Sequence, residues 1–300
     1  MLYLCREIVN FIVKSMKKIL YLLLMVFICI GCEHEVQETE NVQGIGVFSV
    51  SETKKVMFSP GNLQYHRATD TWHFADEQTD LLIINNLNSP IYHQSHGIYI
   101  SALRLDSLDI DPEIQLGSKI DLFGWGTGYN PIMVSQSVED YVDFVDWGYH
   151  QIDNDKSMQW HTLDYDEWDY LLHKRPNADS LWAFADVKGF PGKIFLPDGW
   201  VCPDGVSYEP VHGNVPVLLD GVNHYNSDDW AIMEKSGAVF LRFSCYRTGV
   251  QIYPITGLSA YWVSSYTDDT HGVALEYAFG LTEKSRSLGY SVRLVKEIKQ

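Results

Sequence analysis

Four extended apolar runs between Gly237 and Lys296 constrain this chain more than any other feature. Ala238-Val239-Phe240-Leu241-Arg242-Phe243 is almost unbroken in its apolar character, as in a strand covered on both faces. Tyr261-Trp262-Val263-Ser264-Ser265 opens with β-favouring aromatics. From Val273 to Phe279 the large residues Val273, Leu275, Tyr277 and Phe279 alternate with Ala274, Glu276 and Ala278, which predicts one buried face. Gly289 to Val295 places Tyr290, Val292 and Leu294 on one side. These patterns predict four consecutive strands in one sheet, with the upstream chain feeding or flanking it.

The upstream segments supply turns and two helices. Val47–Val50 and Val56–Phe58 predict a hairpin around Glu52-Thr53-Lys54-Lys55. Strands follow at Leu63-Gln64-Tyr65 and Thr71-Trp72-His73-Phe74, after a turn at Ser59-Pro60-Gly61-Asn62. The stretch from Asp80 to Gly117 carries few signals and is expected to hold insertions. Asp164 and Glu167 have capping-box spacing, with Trp168, Leu171 and Leu172 on the apolar face of a helix that Pro176 stops. Ser227 is expected to cap a second helix containing Trp230, Ile232 and Met233, and Gly237 to end it. Lys193 to Trp200 is a strand running into a turn. Two helices beside a mainly antiparallel sheet make an α+β class.

The N-terminus has the pattern of an export signal. Met16-Lys17-Lys18 precedes an apolar run from Ile19 to Ile30 that is short for a membrane-spanning helix, followed by Gly31-Cys32. Met16 alone begins a well-formed signal, so residues 1–15 are expected to precede the true start. Gly31-Cys32 is similar to a bacterial lipobox, which implies lipidation of Cys32 after cleavage; Cys29 stands where Leu is usual. The acidic stretch Glu33 to Gly44 is expected to be a tether, and acidic residues after a lipidated Cys resemble surface-export signals of Bacteroides-type lipoproteins. The expected location is therefore the outer membrane, with membrane attachment through the lipid and exposure at the cell surface. The formal charge of −17 disfavours nucleic-acid partners. Of the five cysteines, Cys202 and Cys245 remain as an even pair once Cys32 is lipidated, and in an oxidising compartment they are expected to form a disulfide. The alternative is two free thiols.

Gly237-Ala238-Val239-Phe240-Leu241, Tyr261-Trp262-Val263-Ser264-Ser265 and Gly289 to Val295 together resemble the Fibrobacter succinogenes major paralogous domain family. Trp160 to Leu163 with Asp166-Glu167-Trp168-Asp169-Tyr170 resembles the "LPTEAEWEYA" segment of the formylglycine-generating branch of that fold, and Ile120 to Gly126 a further landmark. The resemblance covers about Phe48 to Lys296 and implies a C-type-lectin-like fold. The reactive cysteine pair of the formylglycine-generating branch has no counterpart between Ser265 and Leu288. The lectin calcium triplet fails as well, because Val211 follows Glu209-Pro210 and no Trp-Asn-Asp occurs.

No nucleophile elbow, phosphate loop, zinc-protease or dinucleotide motif is present in the sequence. His93 and His96 read as surface histidines, and Asp164, Asp166 and Glu167 as capping groups rather than a hydrolytic pair. Arg293 is expected in a structural ion pair. The abundant Trp and Tyr, 9 and 18 residues, suit recognition where they reach the surface. The candidate ligand residues are Tyr246, Arg247, Tyr253, Tyr261, Tyr266 and His271, on segments Tyr246–Ser259 and Ser265–His271, where loops meet a rigid sheet. The expectation is a non-enzymatic, lipid-anchored module binding a glycan or protein, with neither cofactor nor metal. The competing readings are a hydrolase with unidentified carboxylates, a structural envelope component, and a hypervariable display protein diversified by a retroelement.

Overall fold

A computed structural model of the chain describes residues 46–81, 119–212, 222–243, 245–253 and 256–299. The export signal, Cys32, His93, His96 and most of the 80–117 stretch lie outside them.

The short strands follow the sequence closely at first. β1 (Phe48–Ser49) and β2 (Lys55–Phe58) form the expected hairpin, and β3 (Leu63–His66) pairs with β4 (Thr71–Phe74). After β5 (Lys119–Ile120) come the hairpin strands β6 (Trp182–Val187) and β7 (Phe190–Phe195), then β8 (His224–Tyr225) and β9 (Val239–Arg242). The C-terminal part holds β10 (Tyr246–Thr248), β11 (Gln251–Tyr253), β12 (Ala260–Tyr266) and β13 (His271–Glu276). It ends with β14 (Gly280–Ser285), β15 (Leu288–Gly289) and β16 (Val295–Glu297). The sheet orders are β1-β2-β16, β4-β3-β5, β8-β6-β7-β9, β11-β10-β15 and β12-β13-β14. All strand pairs are antiparallel except β6 with β8. The fold is α+β, and residues 43–300 form one compact unit.

The first helix, Tyr165–Asp169, begins with a complete capping box: Glu167 N donates to Asp164 Oδ1 (2.8 Å) and Asp164 N to Glu167 Oε2 (3.0 Å). It widens into a π-turn at Tyr170–Lys174 before Pro176. The second helix, Ser227–Lys235, starts one residue earlier than expected. Asn226 is its cap, accepting from Asp228 N and Asp229 N. Gly237 follows with φ +88°, as a C′ glycine should.

Alternation along β12 and β13 divides the core. Tyr261, Val263, Val273 and Leu275 face a cluster with Phe48, Phe58, Trp168, Phe195 and Phe243. Trp262 and Ala274 face the opposite cluster, with Phe123, Trp125, Trp147 and Tyr290. A third cluster packs the second helix, through Trp230 and Met233, against Ile194 and Phe240.

The predicted single sheet is corrected on two points. First, the four predicted strands are distributed among separate sheets, because β9 joins β7, β12 and β13 join β14, and β16 joins β2. Second, Gly289 to Val295 is not one strand. Its backbone changes partner at almost every step: Tyr290 exchanges bonds with Phe123, Leu63 N donates to Val292 O, and Ser59 N donates to Leu294 O. The apolar side chains Tyr290, Val292 and Leu294 are buried, but so are the intervening Ser291 and Arg293, so the segment has no solvent face and no single neighbour continues its ladder. Val273–Phe279 also ends early, turning after Glu276 and leaving Phe279 exposed.

One core position is a cation. Lys193 on β7 is buried, its Nζ donating to Glu276 O (3.1 Å) amid the rings of Trp182, Phe184 and Phe243. Burial pushes its pKa down to about 7, against the opposing pull of Glu276. In the unfolded chain the amine titrates near 10.5. Between those values the unfolded state holds a proton that the folded state lacks, so this group adds stability as pH rises from 7 towards 10.5. Lys193→Met should therefore be more stable than wild type at pH 7 by about 1–4 kcal/mol. Urea titrations should show that advantage shrinking towards pH 10; an advantage constant with pH would refute the depressed pKa.

Candidate recognition surface

Trp125, between Gly124 and Gly126, is the floor of the surface. Its ring lies flat on β13 because Gly272 carries no side chain; a Cβ there would come within 2.5 Å of the indole. Trp125 Nε1 donates to Val263 O (3.1 Å). Over the indole sits the Arg286 guanidinium, 4.1 Å from the ring centroid, and the same group lies 5.0 Å from the Tyr266 ring. A buried guanidinium must spend its donors on acceptors. Arg286 uses backbone oxygens: Nη1 donates to Tyr141 O (3.1 Å) and Val142 O (3.3 Å), and Nη2 to Asp268 O. One side chain thus fastens the 138–144 loop and the 266–271 loop together.

Arg247 secures the same region from the other end. It is 4% exposed and donates to Leu122 O (3.1 Å), Gly249 O (2.6 Å) and Met133 O (3.2 Å). Burial lowers its pKa, with Tyr141 opposing. Tyr141 is fully buried beside Gly124, where a Cβ would approach its ring to 2.2 Å, and its hydroxyl donates to Ser135 O (2.8 Å). Above these anchors, Val142 is 62% exposed and Tyr266 61%, with Tyr129 beside them through a bond from its hydroxyl to Asp140 O. Asp268 turns the 266–271 loop, accepting from Thr270 N (2.7 Å) and His271 N (2.8 Å). Bonds from Thr270, then from His271, hold its carboxyl well below the usual carboxylate range.

The expected ligand residues separate into two groups. Tyr266 is exposed and His271 half-exposed, its Nδ1 3.1 Å from Asp268 Oδ1. Tyr246 and Tyr253 face each other across β10 and β11 as a stacked, half-buried pair 5.2 Å apart. Arg247 and Tyr261 are corrected to internal roles. Tyr261 is 1% exposed, donates to Arg242 O (2.9 Å) and accepts from Asn62, and burial pushes its pKa up to about 12. Arg293 is corrected too: it is buried against the neutral side chains of Asn62 and Gln78 rather than in an ion pair. Sequence reasoning missed Tyr129, Val142 and the Trp125–Arg286 clamp. The available signal was the pair of glycines flanking Trp125, which announced a close approach without saying to what.

The Cys202–Cys245 disulfide is also corrected. Both are free thiols. Cys245 is buried, and burial raises its pKa, with Asp121 adding to the rise and Arg242 opposing it. Cys202 is exposed on a turn, with its Sγ against Val206 O (3.5 Å). Of the acidic trio, Asp164 and Glu167 are engaged in the capping box, and Glu167 also pairs with Lys54. Among the described residues no three His, Cys, Asp or Glu are placed to hold a metal ion, and no helix is long and apolar enough to cross a membrane. Compared with family models, curated proteins and solved structures, the chain matches none.

The clamp predicts a coupled loosening. Arg286→Ala should cost at least about 2 kcal/mol, the scale of charged hydrogen bonds left unmade. Hydrogen exchange should accelerate in both 138–144 and 266–271, with Arg286→Lys restoring only part, since an ammonium cannot span three carbonyls in fixed geometry. Acceleration in one loop alone would show that Arg286 does not join them.

Proposed function

We propose that this chain is an exported, lipid-anchored binding module of C-type-lectin-like fold, which recognises a glycan or protein ligand and performs no catalysis. The observation that carries the binding role is Tyr266, an exposed aromatic ring held over a buried guanidinium. A side chain of that kind offers a large contact area with little rotamer freedom left to lose on binding. Loops braced by a rigid sheet are where recognition is commonly built. The fold reading is supported by the family-like motifs together with the α+β, mainly antiparallel architecture. The export reading rests on Lys17-Lys18, the apolar run and Gly31-Cys32.

The anchor is tested by Cys32→Ala, which should abolish fatty-acid labelling and release the protein from membranes; labelling at wild-type level would exclude this cysteine as the lipid site. The binding surface is tested by probing residues 47–300 on arrays of glycans and of cell-surface proteins. Tyr266→Ala should leave the melting temperature nearly unchanged and weaken the array-identified interaction by about 2 kcal/mol or more. Retained affinity in the well-folded variant would move the site away from this face.

A further inference from the structure

The two segments that build the Tyr266 face are devoid of Lys and Arg, and the imidazole on it, His271, is turned to Asp268 of its own loop. No Lys or Arg occurs from Asp121 to Asp155, nor from Thr248 to Glu283. Carboxylates neighbour the exposed apolar groups along the chain: Asp143 follows Val142 and Asp140 stands two residues before it, and Asp268 and Asp269 come shortly after Tyr266, all four exposed. The cations of this region are beneath it. Arg286 is 2% exposed and bonds backbone carbonyls through Nη1 and Nη2, and Arg247 is buried and does so through Nε, Nη1 and Nη2. Two buried guanidiniums leave the surface negative, with apolar groups at its centre.

We infer that the partner is a Lys/Arg-rich polypeptide segment, which lays its aliphatic stems on Val142 and Tyr266 and its charged ends among Asp140, Asp143, Asp268 and Asp269. This rests on the binding-module reading above and names the ligand class for that face. Long basic side chains fit because stem and charge are one group, apolar along its length and cationic at the tip. A cation over the exposed Tyr266 ring gains further from the ring quadrupole. A neutral glycan would stack on Tyr266 yet leave the negative charge of Asp140, Asp143 and Asp269 unbalanced, and an acidic polymer would be repelled by it.

The test uses fluorescein-labelled oligolysine and oligoarginine with residues 47–300, monitored by fluorescence anisotropy. Binding should be saturable and weaken several-fold as salt rises from about 50 to about 200 mM. The triple variant Asp140→Asn, Asp143→Asn, Asp269→Asn should lose about tenfold or more in affinity. A control triple, Asp204→Asn, Asp228→Asn, Asp229→Asn, makes the same change in net charge far along the chain and should lose less than about twofold. Near-ultraviolet circular dichroism establishes that both variants are folded. Equal losses in the two triples would reduce the effect to net charge and overturn the inference, as would absence of oligocation binding. A neutral array glycan lost with Tyr266→Ala but insensitive to the first triple would overturn this inference while sustaining the module reading.

Discussion

Much of this fold depends on buried guanidinium groups that bond backbone carbonyls. Its strands are short and divided among five sheets, so long stretches of irregular chain pass through the interior with carbonyl oxygens that no ladder satisfies. Such groups are costly to bury unpaired. Arg175, 2% exposed, donates to Leu171 O, Leu181 O and Leu196 O, tying the π-turn to the start and end of the β6–β7 hairpin. Arg242 reaches Thr79 O, and Arg247 and Arg286 fasten the segments around Trp125. A fork of five donors on a long stem suits this task better than any other side chain. For Arg175, Arg247 and Arg286 the desolvation is offset by several carbonyls at once.

What was legible in the sequence was local. The Asp164–Glu167 capping box and the β1–β2 hairpin depend on residues three to eight positions apart, and each formed as read. Alternation in Val273–Phe279 located the face that Val273 and Leu275 bury, but the expected single buried face is corrected: Ala274 and Glu276 are buried on the other side as well. The same logic misled at Gly289–Val295. The periodicity there marked Tyr290, Val292 and Leu294 as internal but not Ser291 and Arg293, which are buried too, and the hydrogen-bond partners drawn from Phe123, Leu63 and Ser59 in turn are set by chain segments far away.

The candidate surface divides along the same line. Tyr266 and His271 reach solvent as expected, because a polar, turn-forming segment between strict strand patterns emerges at the surface. Tyr261 and Arg247 were misplaced because an aromatic or basic residue at a strand end looks the same whether it finishes a core or faces solvent. Only their distant acceptors, Arg242 O and Met133 O, decide the matter. The cysteine pair failed for a related reason: parity says nothing about where two thiols stand, and one is internal while the other lies on an exposed turn.

The hydrogen bonds of the Arg286 clamp go to main-chain atoms, while its flat face lies against the Trp125 and Tyr266 rings. Tyr141 contributes only its carbonyl to that contact, as do Val142 and Asp268. The outward groups at positions 142, 143 and 269 can therefore drift over evolutionary time without disturbing the hydrogen bonds that hold their loops. Constraint and variation are thereby assigned to different atoms of the same residues, so that the outward face can change here with little loss of foldedness.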